Sequence, residues 1–238
     1  MIAWSYTRLK DFERCPLIFK LKNIPNAQGK KDVPFSSSPA MEEGKRKHKI
    51  LERAALTLQK DRQSTLPPSE MSHVYPILNG FTKINQIISP EMDIAFKEDL
   101  TLCSWFDKQT WLRVKVDLMG VAVNAANSGY DYQNDVVNIL DWKTGKVRVD
   151  MDQLRLYNVA ALLYNPEAYE ARSALVFVDH KQSSKILVTK REDLTTELTE
   201  FTDRSEAIQI AVERDSWPAV KNMFCKWCPA NVLQCSIK

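Results

Sequence analysis

The chain has 238 residues, 44% apolar and 26% charged, which is enough to bury a real core and ordinary for a globular protein. Six glycines and eleven prolines exclude collagen-like and low-complexity classes, and no apolar run reaches the roughly 18–20 residues that a membrane helix needs. The net charge of +3 permits contact with a polyanion without predicting one, and the opening residues lack the charged-then-apolar plan of a signal peptide, so the chain reads as intracellular.

Ser5 to Phe19 carries a helical stripe through Leu9, Phe12 and Phe19, with Ser5 as a candidate cap and Pro16 as a break or restart. Residues 22–38 read as a loop. Ser38-Pro39 followed by Glu42-Glu43 is a helix start, and Leu51, Ala54, Ala55 and Leu58 continue it. After a polar loop, Val74, Ile77, Leu78, Phe81, Ile84 and Ile88 predict a second helix. Residues 92–104 and 111–120 read as a hairpin turning near Asp107-Lys108, and 121–134 as a further turn. Val136 to Lys143 is a buried strand. Asp150-x-x-Gln153 reads as a capping box opening a helix to about Tyr164. Strands follow at 174–179 and 185–189. Thr189-x-x-Glu192 reads as a second capping box, ahead of an amphipathic helix through Leu194, Phe201 and Val212. The order predicts an α/β or α+β fold with a mixed central sheet flanked by helices. The whole of 1–238 reads as one domain: a mostly helical part (1–90), a core (91–190), and a helix with a cysteine tail (191–238).

Two acidic positions stand out. In Trp111 to Gly120, Arg113, Lys115 and Asp117 share one strand face, which is either a solvated face or a carboxylate held for chemistry. Asp141-Trp142-Lys143-Thr144-Gly145 ends a strand that is apolar on both faces. Asp141 and Lys143 then point to one side, about 6.5 Å apart along the backbone. Such a pair is either an edge ion pair or a metal-binding carboxylate beside a cation that stabilises phosphoryl charge. On the first long helix, Gly44, His48, Leu51 and Ala55 lie on one side. Gln153 and Tyr157 are four apart on the helix after the Asp-x-Lys strand.

Five cysteines, an odd number, do not suit a disulfide framework. Cys225, Cys228 and Cys235 crowd the last fourteen residues, a density that favours a metal site, with Cys103 read as a small apolar residue inside a strand.

Together these pieces resemble the RecB-like branch of the PD-(D/E)XK nuclease superfamily, in family order over most of the chain. Ser5-Tyr6-Thr7-Arg8-Leu9 through Cys15-Pro16 is similar to its opening helix. Gly44-x-x-x-His48-x-x-Leu51-Glu52 matches its histidine motif, Val116-Asp117-Leu118-Met119-Gly120 its motif II, Asp141-Trp142-Lys143-Thr144-Gly145 its motif III, and Gln153-x-x-x-Tyr157 the helix motif that follows. Arg113-Val114 depart from the Gly-x-x that often precedes the motif II aspartate. The resemblance implies a restriction-endonuclease-like core. It implies Mg²⁺ or Mn²⁺ held by His48, Asp117, Asp141 and the Trp142 carbonyl, with Asp117, Asp141 and Lys143 catalytic and Gln153 and Tyr157 positioning DNA. A further acid is expected from Glu91, Asp93 or Glu98; the first two share a strand face and Glu98 does not. Cys15 with Cys225, Cys228 and Cys235 resembles the iron–sulfur subset of the branch, where a 4Fe-4S cluster joins the chain ends; zinc is the alternative.

The implied activity is phosphodiester hydrolysis, as an exonuclease on single-stranded DNA ends in repair, recombination or phage DNA processing. The alternatives are a CRISPR-adaptation nuclease trimming integration precursors beside partner proteins, and a catalytically idle DNA-binding scaffold. Homo-oligomers occur among such relatives, and no membrane partner is expected. Lys20, Lys22, Lys30, Lys31, Lys45, Arg46, Lys47 and Lys49 are candidate phosphate contacts. Trp4, Tyr6, Phe35, Trp105, Trp142 and Trp217 are candidate base-stacking residues.

Overall fold

The computed structural model describes residues 2–33, 36–123, 135–230 and 233–237. Two compact units emerge, one formed by Ser38–Thr199 and the other by Met1–Ser37 with Glu200–Lys238.

The first unit is built on a sheet. Helix α3 (Pro39–Lys60) starts as its sequence dictates: Pro39 occupies the first turn and the Ser38 hydroxyl accepts from the Met41 amide at 3.3 Å. Helix α4 (Tyr75–Ile84) follows, with Pro76 tolerated in its first turn. Its stripe ends there. Ile88 lies in strand β1 (Ile87–Phe96), because the chain turns at Asn85, whose side chain donates to the Phe81 carbonyl at 2.8 Å. β2 (Leu112–Ala122) pairs antiparallel with β1 as the expected hairpin. The strand before its turn is shorter than predicted, so Cys103 sits in the connecting loop, half-buried, with its Sγ 3.6 Å from Thr110 Oγ1. The turn expected at 121–134 falls largely on 124–134, outside the described residues.

β3 (Asp135–Lys143) pairs antiparallel with β2 and parallel with β4 (Ala168–Phe177), and helix α5 (Met151–Tyr164) makes the crossover between the parallel pair. Two short strands, β5 (Gln182–Ser183) and β6 (Leu187–Lys190), pair antiparallel with β4. The result is the mixed sheet β1-β2-β3-β4-β5, with β6 also on β4, flanked by helices. Neither predicted capping box forms. Asp150 stands at the N-cap of α5 without a side-chain bond, and Gln153 reaches Tyr157 instead. Thr189 belongs to β6, where its hydroxyl accepts from buried Asn158 at 3.0 Å. The Arg191 guanidinium donates to the Leu162 and Asn165 carbonyls at 2.9 and 2.7 Å, satisfying acceptors that the end of α5 leaves open.

Leu51, Ala55 and Leu58 of α3 and Leu78 and Phe81 of α4 pack with Ile88, Leu118, Trp142 and Val176 of the sheet. This core holds α3 by the helix face that His48 shares.

In the second unit, α1 (Tyr6–Arg14) and α2 (Pro16–Asn23) are separated where Pro16 restarts the helix, and Ser5 makes no side-chain cap. Helix α6 (Leu194–Glu213) begins in the sheet unit and passes into this one. Trp217 stacks on Phe19 with centroids 6.0 Å apart, and Phe12 meets both rings edge-on. No helix among the described residues is long and apolar enough to cross a membrane.

Leu51→Ala should cost about 2–5 kcal/mol, the range for a buried leucine in a packed core, because Leu51 is fully buried. Urea denaturation followed by circular dichroism measures the loss.

Candidate active site

Asp117 and Asp141 come together because the β2–β3 ladder runs out beside them. The last pair of that ladder is Leu118 with Leu140. Beyond it, the Trp142 amide donates to Asp117 Oδ2 at 2.7 Å rather than to a ladder carbonyl. Asp117 is 8% exposed and Asp141 2%. Two carboxylates this close and this dry repel each other, so the surroundings must supply positive charge or protons.

The chain supplies several such groups. Lys143 Nζ lies 2.7 Å from Asp141 Oδ2 as an ion pair. The buried Tyr157 hydroxyl donates to Asp141 Oδ1 at 2.7 Å, and Gln153 Nε2 donates to that hydroxyl at 2.7 Å. The i, i+4 pair on α5 thus forms a relay that ends on the motif III carboxylate. Burial, and then the Asp117 charge, push the Asp141 carboxyl above its ordinary range, while Lys143 and Tyr157 pull it back. Burial, and then the Asp141 charge, hold the Tyr157 phenol well above its usual value, so it stays a proton donor.

From α3, His48 Nδ1 lies 3.4 Å from Asp117 Oδ1. Burial works against a charge on His48, but the Asp117 carboxylate, with Asp141 and Glu91 behind it, outweighs burial and raises its pKa. The structure selects among the three further acids. Ligand atoms of His48, Glu91 and Asp117 all lie within 4.8 Å of one another. Asp93 is exposed, and Glu98 sits in the exposed turn after β1, whereas Glu91 is half-buried. Glu91 is set apart by its backbone, a left-handed φ of 50° inside a strand, a conformation that costs a non-glycine residue free energy. The sequence signal was the strand face that Glu91 and Asp93 share, which does not separate the two.

The donor set suits a divalent cation. It offers carboxylate oxygens and one imidazole, with the second oxygen of buried Asp141 met by the Lys143 ammonium. Trp142 contributes its amide to Asp117, and its indole fills the core. An open cleft of about 520 Å³ faces His48, Glu91 and Asp117, and Lys45, Lys49 and Lys115 also line it.

Sequence reasoning missed a clamp on the turn after Lys143. Gly145 has φ +84°, which favours glycine. Its amide donates to Asp179 Oδ2 at 2.8 Å, and His180 Nε2 donates to its carbonyl at 2.7 Å. The other oxygen of Asp179 takes Lys47, the neighbour of His48 on α3. The Gly145 amide and Lys47 hold the Asp179 carboxyl below its ordinary range. Gly44 lets the same turn approach α3: a Cβ there would meet Thr144 Oγ1 at 2.9 Å. No short motif marks Asp179, because its partners lie 34 and 132 residues away.

The four candidate cysteines share one place in the second unit. Cys15, Cys225, Cys228 and Cys235 line a cavity of about 260 Å³ together with Arg14 and Lys22. None is in a disulfide. Two of the sulfurs accept backbone amides, Cys15 from Val220 at 3.4 Å and Cys225 from Asn222 at 3.3 Å. The thiolates of a tetrahedral zinc site stand about 3.8 Å apart, from Zn–S bonds of about 2.3 Å. No three cysteine sulfurs meet within 4.8 Å among the described residues.

The basic run is largely neutralised. Lys20 pairs with Asp215, Lys22 with Asp11, Lys45 with Glu42, Lys47 with Asp179, Lys49 with Glu52, and Arg46 with Glu43 and Glu70. Of the candidate stacking residues, Trp4 and Trp142 are buried and Trp217 is stacked on Phe19. Tyr6 and Trp105 are half-buried, and Phe35 lies outside the described residues.

The sequence model of the PD-(D/E)XK nuclease superfamily matches residues 3–233. The chain belongs to this superfamily. No curated protein matches the sequence. A solved structure from Eubacterium rectale, whose exonuclease designation is provisional, is 13% identical with a TM-score of 0.47, covering 97% of this chain and 91% of that one. A likeness that low carries no argument. The superfamily assignment stands on the family match, and with it a metal-dependent nuclease chemistry.

Tyr157→Phe keeps the ring and removes only the hydrogen bond to Asp141, so Mn²⁺ affinity should fall about 10- to 100-fold, the usual cost of losing a group that orients a metal ligand. Calorimetric titration with Mn²⁺ measures this. Asp179→Ala should lower kcat for phosphodiester cleavage about 10- to 100-fold by loosening the turn after Lys143, with KM nearly unchanged. Steady-state kinetics separates the two terms.

Proposed function

We propose that this chain is a metal-dependent DNA nuclease of the RecB-like branch, an exonuclease acting on single-stranded ends inside the cell in repair, recombination or phage DNA processing, with 1–238 working as one nuclease domain. The observation that carries the reading is the convergence of His48, Glu91, Asp117, Asp141 and Lys143, from α3 and three neighbouring strands, on one cleft-side cluster.

Bound to His48, Glu91, Asp117 and Asp141, with the Trp142 carbonyl beside them, Mg²⁺ or Mn²⁺ supplies a Lewis acid for the phosphate and a more acidic water. Asp117 keeps its ligating oxygen aimed because the Trp142 amide holds the other. Tyr157, itself held by Gln153, does the same for Asp141. Lys143 stands at the cluster, where its ammonium would orient the attacking water and offset the charge that gathers on the oxygens of the pentavalent phosphate. Gln153 and Tyr157 hold the site from α5 and position the strand.

The cysteine cavity is read as a 4Fe-4S site that ties the two chain ends together. Four cysteines on one cavity and backbone amide donors to two of the sulfurs support this. Arg14 and Lys22 on the same wall offset thiolate charge. The cluster's role is structural, as a staple.

Single-stranded DNA labelled at the 5′ or the 3′ end, incubated with Mn²⁺, should shorten, and the ladder from each label gives the polarity. EDTA or Asp141→Ala should abolish the shortening. Equal behaviour of wild type and Asp141→Ala would instead favour a scaffold. Protein purified without oxygen should carry four iron and four sulfide per chain, and Cys15→Ser or Cys228→Ser should lose them. Stoichiometric zinc without iron would refute the cluster and leave the nuclease reading standing.

A further inference from the structure

The candidate site leaves one surface of the sheet unit without a task. β1 and β2 are joined by residues 97–111, and Phe106 in that connection is 85% exposed. A lone exposed phenylalanine needs no explanation. This one is held out by a locked turn. The Asp107 amide donates to the Ser104 carbonyl at 3.0 Å, and the Thr110 amide to the Asp107 carbonyl at 3.2 Å. The Gln109 amide donates to Asp107 Oδ1 at 2.8 Å. The buried Thr110 hydroxyl reaches the Asp107 carbonyl at 2.8 Å.

A cation stands beside the exposed ring. The Arg113 guanidinium carbon lies 5.7 Å from the Trp105 ring centroid and 6.0 Å from that of Phe106. No carboxylate pairs with Arg113 among the described residues. Arg113 occupies the same face of β2 as Lys115 and Asp117. Lys115, bridged between Glu91 and Asp93, lines the open cleft with Asp117. One face of β2 therefore carries, in order, the site carboxylate, a lysine, an arginine, and the aromatic pair beyond it. Asp117 and Arg113 are about 13 Å apart along the strand, the length of about four nucleotides at the 3.4 Å stacked rise and of fewer when the strand is extended.

We propose that this line is a track for single-stranded DNA leading from the cleft, with a phosphate on Arg113 and an unpaired base stacked on Phe106. It rests on the proposed nuclease function. A guanidinium with no carboxylate partner among the described residues suits a phosphate, and an exposed ring face beside it suits a base. Bases in a duplex are already stacked on one another, so the ring face selects an unpaired strand.

The test is fluorescence anisotropy of the full chain in EDTA, where cleavage does not intervene, with labelled dT12 and a labelled 12-base-pair duplex. Phe106→Ala should weaken dT12 binding about tenfold, the loss of one base–aromatic stack, and Phe106→Trp should restore it. Arg113→Gln should lower the slope of log affinity against log salt by about 0.7, one phosphate contact on a single strand. Binding of the duplex should be the same for Phe106→Ala and wild type. Unchanged dT12 binding by Phe106→Ala, or an equal loss on the duplex, overturns the track. If Asp141→Ala cleaves like wild type, the nuclease reading fails while the binding result stands. If wild type cleaves and Phe106→Ala binds dT12 normally, the track fails and the nuclease reading stands.

Discussion

Asp117 and Asp141 sit side by side where water barely reaches, and the surrounding site is arranged to make that tolerable. Each carboxylate has one oxygen fixed by a donor of the protein, the Trp142 amide for Asp117 and the Tyr157 hydroxyl for Asp141. The other oxygens meet the His48 imidazole, from a helix, and the Lys143 ammonium, from the strand itself. Removing any one partner leaves negative charge in a medium that solvates it poorly. A divalent cation answers the same need, which is why a cluster that is costly for the empty protein suits a metal-dependent hydrolase.

The sheet makes the arrangement possible. β3 pairs antiparallel on one side and parallel on the other, and α5 forms the parallel crossover, so the helix following motif III returns across the strand it left. That return brings Tyr157 back to Asp141. On the opposite flank, α3 is held by its apolar face, and the clamp of Asp179 and His180 on Gly145 joins the turn after Lys143 to the residue beside His48. The basic run of α3 is mostly paired with nearby acids, whereas Arg113 on β2 meets no carboxylate among the described residues.

Where the sequence was misleading, competing partners explain it. Ile88 continues the helical stripe of α4 but belongs to β1, because pairing with β2 outweighs the local period. Gln153 has the spacing of a capping box, yet its amide group goes to Tyr157. Thr189 fits a cap equally well, yet it sits in a strand and accepts from Asn158. A side chain that can make a local bond makes a tertiary one when burial demands a partner there. Cys103 was placed in a strand, and the loop that holds it instead also carries the exposed Phe106.

Residue type and spacing determined the chemistry: a histidine on a helix face, two aspartates at strand positions, a lysine two residues after the second, a Gln–Tyr pair one helical turn apart, and crowded cysteines. These signals are local, since they follow from the periods of helix and strand and from what each side chain is able to ligate. Only the tertiary structure decided which further acid joins the cluster, which group restrains the turn after Lys143, and which aromatic ring faces solvent. Glu91 and Asp93 share a strand face, and a left-handed backbone distinguishes them. Asp179 reaches partners far away in the chain. Trp4 and Phe106 differ by burial, which is a property of the packed molecule and not of either residue.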